Sequence, residues 1–81
     1  MDLSDEIAAR TLELGVKYPY AEGFVPQDAA DRAALGVCAD LLDRRGIKWA
    51  MQDVDPDVRA DIVTALAAII RAATAATKVG E

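Results

Sequence analysis

The stretch DPDVRADIVTALAAIIRAATAAT, residues 55–77, decides how this chain folds. Asp55 is a good N-cap, Pro56 suits the first helical position, and Asp57 favours the positive end of the helix dipole. At 100° per residue, Val58, Ile62, Leu66, Ile69, Ala73 and Ala76 fall on one line. Val63 and Ile70 widen that line to a broad apolar face. Asp61, Thr64, Ala68, Arg71, Ala75 and Lys78 take the far side. The spacing predicts one helix over about 56–77, roughly 33 Å long at 1.5 Å per residue. Arg59 lies on the apolar face by helical angle. From the first turn it either snorkels to solvent or marks where that face meets an acidic group.

Working outward, a second helix is expected over about 27–45. Pro26 suits its first turn and Gly46 its C′ position. Ala30, Ala34, Val37 and Leu41 form its stripe, with Cys38 beside it. Gly36 falls on the opposite side, where a helix glycine costs about 1 kcal/mol against alanine. A shorter helix is expected over about 4–16, with Ser4 as N-cap and Gly15 as stop signal. Residues 17–26 are an aromatic, Pro- and Gly-punctuated connector that carries Tyr18, Tyr20 and Phe24. Residues 46–55 are a second connector, extended or single-turn, that lays Ile47, Trp49 and Met51 on the core. Residues 79–81 are expected to fray.

These elements predict an all-α fold of three helices in one small domain, 1–81. A long helical hairpin, about 27–45 and 56–77, has the N-terminal helix packed across it. A chain of 81 residues buries only about 60–65% of its unfolded surface. One cysteine and no histidine leave neither an internal disulfide nor a good zinc site to strengthen the core. The remaining routes are close helix packing and oligomerisation. The predicted oligomer is a homodimer joined through Val58, Ile62, Leu66, Ile69, Ile70 and Ala73.

The net charge of −5 repels phosphates and anionic membranes, so neither nucleic acid nor a membrane is an expected partner. No run is apolar enough to span a bilayer and no signal-peptide pattern opens the chain, which points to the cytoplasm. No phosphate loop, Ser-His or Cys-His pair, or HExxH is present. The sequence therefore predicts no catalysis, no cofactor and no metal. Asp53, Asp55 and Asp57 begin like a calcium loop, but Val58 and Thr64 stand where that loop needs glycine and glutamate. The expected function is binding, as a stoichiometric adaptor or inhibitor of a protein partner.

Two alternatives rest on local clusters. Arg44, Arg45 and Lys48 gather beside Trp49, with Tyr18 and Tyr20 available from the first connector. Guanidinium forks and a stacking indole suit a small anion or nucleotide. The helix-spaced acids Asp28 with Asp31, Asp40 with Asp43, and Asp57 with Asp61 suit mimicry of a phosphate ladder that blocks a nucleic-acid-binding protein.

Overall fold

The computed structural model of the chain describes residues 3–79. The chain is all α-helical, but it has four helices where the sequence predicts three: α1 Leu3–Lys17, α2 Ala29–Leu42, α3 Arg45–Gln52 and α4 Pro56–Val79. Gly80 and Glu81, most of the tail expected to fray, lie outside the described residues.

The added helix corrects the three-helix hairpin, and its cause is local. α2 ends early as Asp43 N–H donates to Asp40 O at 3.0 Å and Arg44 N–H to Leu41 O at 3.1 Å. These i→i+3 bonds tighten the last turn. Arg44 then turns extended, at φ −96° and ψ 122°, and the chain re-enters helix at Arg45. Gly46, expected to terminate α2, lies in the first turn of α3 instead. Ile47, Met51 and Val54 repeat at i, i+4 and i+7, a helical period. The alternation of Ile47, Trp49 and Met51 shares two of those residues and so resembles a strand. Trp49 points away from the core and is 71% exposed.

α2 also starts later than expected. Asp28 is its N-cap and accepts from Asp31 N–H at 2.9 Å, while Asp31 Oδ2 accepts from Gln27 N–H at 2.8 Å. This reciprocal pair satisfies donors that the helix start would otherwise leave unmade. Pro26 and Gln27 stay outside the helix.

α2 is the hub. Its backbone contacts α1, α3 and α4, and no other pair of helices is in backbone contact among the described residues. α1 therefore packs on α2 alone and does not cross α4. Gly15 does not stop α1, which runs on to Lys17 and ends where Tyr18 precedes Pro19. Gly15 instead meets α2 backbone to backbone. A Cβ there would lie 2.5 Å from Leu35 O and 2.8 Å from Gly36 N. Gly36 faces the same contact, where a Cβ would come within 3.3 Å of Leu12 Cα. The side of α2 opposite Ala34 and Cys38, where Gly36 is expected, is the side that α1 covers.

The core lies between α2, α4 and the first connector. Tyr20, Ala21, Ala30, Ala34, Leu35, Cys38, Val63 and Ala67 are buried, with Phe24, Leu42, Met51 and Ile70 packed around them. Four of those buried residues are alanines, so the core gains little of the roughly 0.8 kcal/mol available per buried methylene. Arg59 corrects both readings of it. It closes the end of α3, donating to Val54 O at 2.9 Å and to Gln52 O. Its guanidinium lies 4.9 Å from the Tyr20 ring centroid. Tyr20 O–H donates to Met51 O. Three carbonyls at the end of α3 are thus satisfied by two side chains from other segments.

Candidate functional site: the bare flank of α4

α4 meets α2 through small residues. Val63 and Ala67 are buried and Ala60 is half-buried. The bulkier apolar residues lie on a flank roughly 100° around the helix. Ile69 is 64% exposed and Val58 43%; Ala65 and Ala73 are exposed, and Ile62, Leu66 and Ile70 are half-buried. The structure thus brings the six expected interface residues to one side of α4, partly in water and at the margin of the intrachain contact. The intrachain contact with α2 is made through the smaller residues beside this line, since small side chains let two axes approach more closely than large ones do.

The exposed surface is large for the mass. A folded monomer of 8.6 kDa exposes about 4,700 Å². This chain exposes 6023 Å², an excess of about 1,300 Å². The radius of gyration is 13.2 Å against about 11.7 Å for a compact domain of this length.

The positive corner is only partly assembled. Arg44 turns back one helical turn to Asp40, with contacts of 3.0–3.2 Å. Tyr20 is buried. Arg45, Lys48 and Trp49 do line one shallow cleft, together with Leu42 and Asp43. Lys48 Nζ lies 5.7 Å from the Trp49 ring centroid. Tyr18 lines the neighbouring cleft, across Leu42 and Asp43. Asp43 places a negative charge inside the cleft meant for an anion. Of the acidic pairs, Asp28 with Asp31 is engaged by α4. Arg71 bonds Asp28 at 3.0 Å and Asp31 at 3.2 Å. The Asp31 N–H, and then Arg71, hold the Asp28 carboxyl below its ordinary pKa.

One surface escaped the sequence reading. An open groove of about 560 Å³ between the first half of α1 and α2 is lined by Ile7, Ala8, Leu12, Ala33 and Val37. Gly15 and Gly36, which bring α1 and α2 close at one place, were the available signal. Cys38 is fully buried and burial pushes its thiol pKa up. Among the described residues, no group of three or more His, Cys, Asp or Glu side chains is placed to hold a metal. No helix of the described residues is long and apolar enough to cross a membrane.

The fold defines the class, a small all-α helical bundle. The chain matches no family model, no curated protein and no solved structure.

Proposed function

We propose that this chain is a protein-binding module that works as a homodimer, with the bare flank of α4 as the surface joining its two copies. The observation that carries this is the apolar flank left exposed on α4, in a chain whose total exposed surface is large for its mass. About 800 Å² per partner is typical of a stable interface, and the chain exposes about 1,300 Å² more than a monomer of its mass does. Val58 and Ile69, on one flank of one helix, are among the large apolar residues left exposed. Dimerisation also supplies the stabilisation that an alanine-rich core lacks. The dimer serves as an adaptor or stoichiometric inhibitor, and its net charge of −5 per chain favours a basic protein partner.

The test is molar mass by light scattering at micromolar concentration, on the natural chain and on Ile69→Glu. The natural chain is expected at twice its monomer mass. Ile69→Glu is expected at monomer mass with its helical circular dichroism retained, because position 69 is mostly in water within one chain. A natural chain that is strictly monomeric and melts cooperatively overturns the proposal.

A further inference from the structure

We infer that the two copies pair through α4 in antiparallel fashion, with the two-fold axis passing between Ala65 and Leu66. This rests on the homodimer proposed above and specifies its geometry. A two-fold interface places the same patch on both chains, so the patch must match itself when reversed. The flank of α4 does. Val58, Ile62, Ala65, Leu66, Ile69 and Ala73 are spaced 4, 3, 1, 3 and 4 residues apart, the same in either direction. Reversal about the midpoint sets Val58 against the partner's Ala73, Ile62 against the partner's Ile69, and Ala65 against the partner's Leu66.

The sizes match as well as the spacing. In two of these three layers a large side chain meets an alanine, which lets knobs fill holes without overpacking. The third layer is isoleucine on isoleucine. Val58, Ala65, Ile69 and Ala73 are exposed within one chain, while Ile62 and Leu66 are half-buried, packing against the core on one side and keeping the rest of their surface for the partner. From Val58 to Ala73 the contact spans about 22 Å of helix at 1.5 Å per residue.

Charge selects the direction. Asp57 and Asp61 stand in the N-terminal part of α4, and Asp57, in its first turn, also complements the dipole. A parallel pair brings both acidic ends together and aligns the two dipoles. The antiparallel pair sets Asp57 opposite the partner's Thr74 and Asp61 opposite the partner's Ile70, and it opposes the dipoles.

Cysteine cross-linking under mild oxidation tests the geometry, with the natural chain as control for the buried Cys38. A disulfide needs Cα atoms within about 7 Å, and seven helical residues span about 10.5 Å. Ala65→Cys lies beside the axis and reports contact through the flank in either direction. Ile62→Cys and Ile69→Cys report direction. The expected result is a double-mass band for Ala65→Cys, none for Ile62→Cys or Ile69→Cys alone, and a band when those two are co-expressed. If Ala65→Cys cross-links but Ile62→Cys and Ile69→Cys each cross-link alone, the pair is parallel; this inference falls and the homodimer stands. A dimer by light scattering with no band from Ala65→Cys moves the interface off α4 and also overturns the inference. Monomer mass with no band removes both.

Discussion

α1 and α4 dock on the same central helix by opposite means. α1 crosses α2 where Gly15 meets the Leu35–Gly36 backbone with no side chain between them, and Gly36 lies against Leu12. α4 lies against α2 through Val63 and Ala67, and Arg71 adds ion pairs to Asp28 and Asp31. The first contact is set by what is missing, since a methyl added at Gly15 does not fit. The second is loose at its margin and leaves Val58 and Ile69 largely in water. Contact made through small residues uses little of a helix's circumference. On α4, the unused part is where the large apolar residues are.

The comparison breaks most readily at Gly15. Gly15→Ala puts a Cβ 2.5 Å from Leu35 O, a backbone atom that cannot swing aside. The helices must separate. The expected loss is about 2–3 kcal/mol, a fall in Tm on the order of 10–20 °C for a domain of this size. Gly36→Ala is the internal control. Its Cβ would meet the Leu12 side chain at 3.2 Å and Leu12 Cα at 3.3 Å, and it gains about 1 kcal/mol of helix propensity. Its Tm should change by no more than a few degrees. Equal effects at the two positions would show that the crossing is not set by backbone contact at Gly15.

A change at Arg59 asks whether α4 is held by its α2 face alone. Arg59→Met keeps apolar bulk but removes the donors to Gln52 and Val54 and the cation over Tyr20. Leaving the part-buried Val54 carbonyl without its donor is expected to cost about 1–2 kcal/mol, less than Gly15→Ala. α3 should fray first. A loss of helical signal together with a shift in Trp49 emission before the main melt supports this. A single melt with unchanged emission shows that α3 is held by its apolar contacts with α2.

Much of this architecture is readable from the residues. The helix opened by Asp55 and Pro56 carries its own cap and period, and the structure forms it from Pro56. The first helix is also explicit in its spacing. α3 was hidden because Ile47, Trp49 and Met51 satisfy a two-residue period by coincidence, while the period that forms includes Val54. The early end of α2 is set by extended backbone at Arg44, a residue type with no such preference. Arg59 was ambiguous because its partners are carbonyls on another element, and sequence patterns show side chains only. The flank residues of α4 were visible as an apolar line. That α2 would cover Val63 and Ala67 in their place followed from axis distance, which alanine positions set and hydropathy does not rank. Of the corner residues, Arg44 had an acid one turn earlier at Asp40, a pairing that i, i+4 spacing announces.

The smallest expected effect separates the core from its margin by pH. Burial raises the pKa of the Cys38 thiol from 9.0, and that of the Tyr20 hydroxyl from 10.0, against the lowering pull of Arg59. A group whose pKa is higher folded than unfolded binds its proton more tightly in the folded state. Its contribution to stability is full below the unfolded pKa and is lost as pH rises through the folded value. Stability to urea should therefore hold from pH 7 to just below 9.0 and fall above it, through Cys38 first and Tyr20 next. Cys38→Ala, although less stable throughout, should lose the first part of that fall and keep the part above 10.0 that belongs to Tyr20. The two groups also act on each other, since charge on Cys38 opposes charge on Tyr20; removing the thiol should bring the tyrosine step to slightly lower pH. An alkaline profile that is the same in both chains places the decline outside this core. In that case the close packing around α2 does not govern the first group to titrate.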